Sequence, residues 1–477
     1  MGKLSPYHWM IVGGGMSFVA LIAAFVATEW YWGLLIPFAL ALVASVLLAK
    51  DYVLWFIIVS TPLSINVEFE DLGSTMNFPN EPFIVALTGL FFIRLVYYGN
   101  FYPKFVKHPL SIILIAHLTW MLFTAILSEL PMVSIKYFAS RLWTIVVFFY
   151  LMSKLLSENK NIKAYYLAYL IPLSIAVIYT IIHHGQYNFT KKSGTWVMQP
   201  FFKEHTSYGA VLAMYVTIAW GMVLLYKERV LRKLSYVGLA VVVTLGLYFS
   251  YTRAAWLSVF LMMGIAGMLY IGWGFRRFLQ LIGFGLVVLA LSWSSITERL
   301  EKTRAVSSDD RKEHLSSVTN VTTDASNTER LNRWKSALRM WQEKPHTGFG
   351  PGTYMFLYAP YQNPNEKTII STNRGDVGNA HSEYIGPLAE MGWPGSLIMI
   401  IWVILIFYYG FKLSLTLTGE VQRNAAIIAF LALITYFSHG LVNNFLDIDK
   451  AALPVFGCMA ILTVLDIQRK SDQLEVE

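Results

Sequence analysis

The chain has 477 residues, of which 56% are hydrophobic, 15% aromatic and only 14% charged, and its mean hydropathy is +0.51. Soluble domains carry about 25% charged residues, so this balance, spread over many long apolar runs, excludes an ordinary soluble protein and points to a multi-pass membrane protein. The net charge of +8 does not indicate a nucleic-acid partner, because the lysines and arginines fall in short loops between apolar runs, which is the topology signal of membrane proteins.

A crossing helix needs about 20 apolar residues. Fourteen segments qualify: 10–28, 32–49, 52–65, 82–98, 110–127, 136–153, 164–183, 207–226, 234–250, 254–273, 278–294, 383–409, 423–440 and 451–468. The expected fold is all-α and polytopic, with 12–14 transmembrane helices. The first segment lacks a small-residue cleavage site and reads as a retained helix rather than a signal peptide. The sole cysteine, Cys458, lies in an apolar run and reads as a packing residue.

With the N-terminus in the cytoplasm, every inside loop is basic. These loops hold Lys50; Lys104 and Lys107; Lys154, Lys160 and Lys163; the run 227–233; Arg276 and Arg277; Lys412 and Arg423; and Arg469 and Lys470. The outside loop 66–81 is acidic, with Glu68, Glu70, Asp71 and Glu81. The positive-inside rule therefore puts both termini in the cytoplasm and the long loop 295–382 outside. The chain divides into N-terminal spans (1–294), a large periplasmic loop (295–382), and C-terminal spans with a short cytoplasmic tail (383–477).

Within the loop, residues 301–325 are polar, rich in Ser, Thr and Asp, and expected to be mobile. Ser326 and Glu329 have capping-box spacing. Leu331, Trp334, Leu338 and Trp341 recur on one helical face, flanked by Arg330, Arg333 and Lys335. The spacing predicts an amphipathic helix over 327–343, closed by Pro345, lying on the membrane or capping a site. The glycines in Gly348-Phe349-Gly350-Pro351-Gly352-Thr353-Tyr354 form either a turn or a backbone nest for an anion. No Gly-Lys-Ser/Thr follows, so this is not a phosphate loop of the Walker type.

His381 stands where the polar loop enters a hydrophobic helix. A neutral imidazole there can take a hydroxyl proton near pH 7; the alternative is a helix-start histidine bonded to backbone. Glu383 and Glu390 follow it. Arg253 lies between two apolar runs, where a cation at membrane depth costs about 2.5–3.5 kcal/mol and marks a functional candidate, unless it snorkels to the interface. Arg141 is a second such cation. The guanidinium fork suits phosphate, and two converging arginines would stabilise a leaving diphosphate without a metal. His183 and His184 are adjacent, cysteines are unpaired and no His-Glu-x-x-His occurs, so neither metal nor cofactor is expected.

These residues form an order: Ser250-x-Thr252-Arg253-x-x-Trp256, then Arg330 and Trp334, then Pro345-x-x-Gly348-x-Gly350-x-Gly352-x-Tyr354, then His381-Ser382-x-Tyr384 and Leu388-Ala389-Glu390-x-Gly392-x-x-Gly395. That order resembles the O-antigen ligase and polymerase superfamily of bacterial envelopes, most specifically over 250–395. Ser382 stands where many members carry Asn. The resemblance implies a GT-C-like membrane glycosyltransferase in the bacterial inner membrane, with its active site facing the periplasm. It implies inverting, metal-independent transfer of a glycan from undecaprenyl diphosphate to a hydroxyl acceptor. His381 would match the catalytic base, Arg253 the diphosphate-binding arginine and Arg141 a second one. Arg330, Gly350, Gly352, Tyr354, Glu383 and Tyr384 would support them. Ligation to lipid A core is the favoured outcome; polymerisation of repeat units and protein O-oligosaccharyl transfer share its chemistry. A lipid-linked glycan transporter and a structural assembly protein are the rivals from other classes.

Overall fold

A computed structural model describes residues 35–69, 74–99, 102–285, 287, 318–363 and 378–476, together with Met16, Ser17, Ala20, Ala24 and Thr28. Among the described residues, eleven helices are long and apolar enough to cross a membrane: Ala39–Leu63, Asn80–Tyr98, Pro109–Ile126, Pro131–Leu156, Asn159–Gly185, His205–Leu225, Val230–Phe249, Arg253–Tyr270, Gly386–Thr416, Glu420–His439 and Asp449–Gln473. Large apolar side chains such as Leu257, Phe260, Ile400 and Ile404 are exposed on their outer faces, as a bundle solvated by lipid requires.

The fourteen expected segments reduce to this set in two ways. Segment 10–28 lies outside the described residues apart from five positions, and 278–294 is described as helix only to 285 and at 287. Segments 32–49 and 52–65 are not two spans but one bent helix, Leu35–Ser60. Ala49 leaves helical geometry there (φ −136°, ψ 34°). No Gly or Pro interrupts residues 38–60, so the chain bends where a turn was expected at Lys50. One of the basic inside loops is therefore missing, and the orientation of the N-terminus rests on residues outside those described.

The acidic stretch after this helix forms an antiparallel hairpin, Ile65–Phe69 with Ser74–Phe78, pairing Ile65 with Phe78. The alternation Ile65, Val67, Phe69 is its signal in the sequence.

The C-terminal helix, Asp449–Val476, is the hub, and it is buried from Ala451 to Leu465. Pro454 has no N–H for the carbonyl four residues back, that of Lys450. The Tyr169 hydroxyl donates to that carbonyl instead, at 2.7 Å. Tyr165 donates to the Leu453 carbonyl at 3.0 Å and Tyr166 to the Ala425 carbonyl at 3.1 Å. Two tyrosines on helix Asn159–Gly185, Tyr165 and Tyr169, thus fasten the hub, and Tyr166 fastens the neighbouring helix Glu420–His439, where no water satisfies backbone groups.

The loop helix differs from its expected form. It runs Val318–Glu343, so Ser326 is inside it rather than at its cap, and 318–325 is helical rather than loose. No Pro or Gly lies between 318 and 343, and once nucleated the helix continues through its Thr- and Asn-rich start. Its buried face is also different. Glu329, Asn332, Arg333, Ser336, Ala337 and Met340 are buried, whereas Leu331 and Leu338 of the expected apolar stripe are 44% and 40% exposed. A mixed polar and apolar face turns inward over the site, Leu331 and Leu338 face outward, and Trp334 and Trp341 are half-buried.

Candidate functional site

Helix Gly386–Thr416 is broken near its start. Gly392 has φ 68°, ψ −173°, and Pro394 removes another N–H. The freed backbone groups are met by the glycine turn. Phe349 N–H donates to the Ala389 carbonyl at 3.0 Å, Gly350 N–H to the Glu390 carbonyl at 2.8 Å, and Trp393 N–H to the Pro345 carbonyl at 2.9 Å. Trp120 Nε1 donates to the Met391 carbonyl at 2.9 Å. Gly348, Gly350 and Gly352 all have positive φ. A Cβ on Gly348 would lie 2.3 Å from the Glu390 carbonyl carbon, and one on Gly350 2.0 Å from Ser128 Oγ. The turn also acts as a nest, but its anion belongs to the protein. The N–H groups of Gly352 and Tyr354 hold the Glu390 carboxylate, the latter at 3.1 Å.

Beneath the turn lies a cavity of about 180 Å³. Arg141, Glu383, Glu390 and Asp447 line it, with Tyr137, Asn379, Asn444, Gly352 and Tyr354. Arg141 is 7% exposed. It donates to the Leu446 carbonyl at 2.7 Å and to Tyr137 Oη at 3.2 Å, and it faces Glu383 and Asp447. Glu383 Oε1 accepts from Tyr436 Oη at 2.5 Å, Phe445 N–H at 2.9 Å and Leu446 N–H at 3.1 Å. Burial pushes the Glu383 carboxyl up against the opposing pull of Arg141 and Tyr436, and burial likewise pushes Asp447 up. One guanidinium among three carboxyl groups and two amides offers directed donors and acceptors to a polyhydroxylated ligand.

His381 adopts φ 50°, a left-handed conformation costing a non-glycine residue about 1–3 kcal/mol. Its N–H donates to Asn379 Oδ1 at 3.0 Å, and its carbonyl accepts from Trp334 Nε1 at 3.4 Å. The imidazole bonds Asn443 and lies within electrostatic reach of Arg333, Arg330 and Glu329. Burial, then Arg333 and Arg330, lower it to about 4, so the ring is neutral at physiological pH. Ser382 Oγ accepts the N–H groups of Tyr384 and Ile385, both at 3.3 Å, which turns the chain into the helix. Tyr384 Oη donates to the Phe437 carbonyl at 2.9 Å.

Arg253 opens helix Arg253–Tyr270 and is exposed. It is not among the cavity-lining residues, and neither is His381. Its neighbour Thr252 donates to the His205 carbonyl at 3.0 Å, and Arg330 lies within electrostatic reach of His205, His381 and His439. The two predicted groups thus occupy the same end of the bundle, linked through Thr252, His205 and Arg330, while Arg141 belongs to the cavity. The sequence reading missed Asp447, Asn444, Tyr137 and Tyr436 as site residues. Its available signal was the polar run 443–450 between the last two apolar segments.

The fold and site define a multi-pass, predominantly helical membrane protein with a capped polar cavity at one end. Residues 238–400 match the family model described as O-antigen ligase. That match supports the O-antigen ligase and polymerase superfamily, and an O-antigen ligase-like function in the broad sense. It spans Arg253, the loop helix, the glycine turn, His381 and the start of the broken helix, and it leaves out Arg141. No curated protein matches the chain.

Proposed function

We propose that the protein transfers a glycan from a polyprenyl-diphosphate carrier to a hydroxyl acceptor, on the periplasmic side of the bacterial inner membrane, with lipid A core as the acceptor. The His381 imidazole takes the acceptor proton. The acceptor oxygen bonds to the anomeric carbon with inversion, the bond from that carbon to the diphosphate oxygen breaks, and the carrier diphosphate leaves. Arg253 receives the leaving diphosphate. Its guanidinium stands at a helix N-terminus, where the macrodipole also favours an anion. Arg141 is the second arginine, acting from the cavity wall.

The observation that carries this reading is the strained, neutral His381, whose chain neighbours Ala380 and Ser382 line the polar cavity, inside the matched region. Backbone strain of this kind persists where surrounding structure over-determines it, and functional sites are where it clusters.

Purified protein supplied with undecaprenyl-diphosphate-linked glycan and lipid A core tests it. Folded His381→Ala and Arg253→Ala variants are expected to lose transfer by at least about 100-fold. Wild-type rates in both would end the proposal. The glycan profile after gene deletion separates the outcomes: long polymer accumulating on carrier means ligase, and a single-repeat product means polymerase.

A further inference from the structure

At the opposite end of the bundle from the hairpin and the candidate site, three helices enclose a second cleft, of about 330 Å³. Its wall carries Lys50, Arg94 and Lys154 above Leu54, Leu90 and Leu151. The cations come from three separate segments: Lys50 follows the bend at Ala49, Arg94 lies in the last turns of Asn80–Tyr98, and Lys154 is in Met152–Leu156. Lys50 reaches Asp51 at 3.4 Å, and Asp51 is mostly exposed. Among the described residues, neither Arg94 nor Lys154 forms an ion pair with a carboxylate.

Snorkelling alone disperses such residues toward water. Here the three cations converge on one cleft with apolar walls, Arg94 and Lys154 exposed at its mouth and Lys50 partly shielded, so a charged rim stands over an apolar floor. A phospholipid supplies both halves of the complement: a phosphodiester for the cations and an acyl chain for the leucines.

We infer that the cleft lined by Lys50, Arg94 and Lys154 binds the phosphate headgroup of an anionic phospholipid, with an acyl chain along Leu54 and Leu90. This site is independent of the glycan chemistry proposed above.

The test uses the full-length protein in nanodiscs containing phosphatidylcholine with phosphatidylglycerol as the minor component. Native mass spectrometry of lipid released with the protein is expected to show phosphatidylglycerol enriched over its bulk share. Each cation removed is expected to lower that enrichment roughly fivefold, so K50Q/R94Q/K154Q abolishes it. Leu90→Trp fills the cleft without touching charge and is expected to abolish it too, which keeps the test intact if the triple variant misfolds. Equal enrichment in the wild type and in whichever of these variants fold overturns the proposal. Displacement of the lipid by millimolar glycerol phosphate reassigns the cleft to a soluble phosphate and also overturns it.

Discussion

Gly350 donates its N–H to the Glu390 carbonyl at 2.8 Å, the carbonyl that Pro394, four residues on, has no hydrogen to satisfy. The glycine turn and the helix break are therefore one device. Broken helices survive at membrane depth only where other groups take up the freed backbone. Gly348→Ala places a methyl against the Glu390 backbone at a left-handed φ. Loss of well over 1 kcal/mol of stability is expected, with a lower melting temperature in detergent. A wild-type melting curve would mean that the turn does not hold the break.

Much of this device was legible before the structure, and part was not. The glycines, Pro345 and the Glu390-x-Gly392 pattern stood out in the sequence, but a nest for a ligand phosphate and a nest for Glu390 have the same spacing. The loop helix misled for a related reason. Periodicity located the apolar stripe Leu331, Trp334, Leu338, Trp341, and apolar stripes usually face the core. The stripe Glu329, Asn332, Arg333, Ser336 is buried because its polar groups find partners inside, Glu329 on Arg333 at 2.8 Å and Arg333 on the Asn379 carbonyl at 3.0 Å, while Leu331 and Leu338 stay exposed. At Lys50 a charged pair looked like a loop, whereas a helix without Gly or Pro only bends around it.

The His381 environment fixes the sign of a pH effect. Catalysis by the neutral imidazole requires pH above its lowered value of about 4. Transfer is expected to be flat through neutrality and to fall on the acid side as pH approaches 4. Arg330 is one of the cations holding the value down, so Arg330→Gln raises it and moves the acid limb to higher pH. Glu329 opposes that pull and Asn443 bonds the ring, so Asn443→Ala is expected to move the limb to lower pH. A pH–rate profile that leaves the limb in place in both variants contradicts His381 as the base.

Tyr436 meets Glu383 where three donors converge on one buried oxygen. Tyr436→Phe removes one donor and leaves the two backbone N–H groups. A stability loss of about 1.5–3 kcal/mol is expected, since the acceptor is an ionisable group. Glu383→Gln keeps an acceptor for all three donors but removes the charge facing Arg141, so its transfer rate is expected to fall more than its melting temperature. Comparing kcat with Tm for the two variants separates positioning from folding; proportional losses in both would assign Glu383 a structural role alone.

At the far end of the hub helix, the buried Asp466 carboxylate gathers four cationic or ionisable partners: Lys412 and Arg469 at 3.1 Å, Lys470 at 3.2 Å and His108 at 3.4 Å. Lys412 and Arg469 are themselves largely shielded, so this cluster is not an exposed surface pair. Removing one partner of a buried pair costs about 3–5 kcal/mol, because the other is left uncompensated. Asp466→Asn leaves Lys412 and Arg469 facing each other without an anion, and a loss near the lower end of that range is expected because both retain some solvent. Lys470→Gln, at the half-exposed rim, is expected to change stability by less than about 1 kcal/mol. Thermal melts of the two variants check the contrast: similar melting temperatures would mean that the cluster is held by the surrounding packing of Tyr409 and the hub helix rather than by its charges.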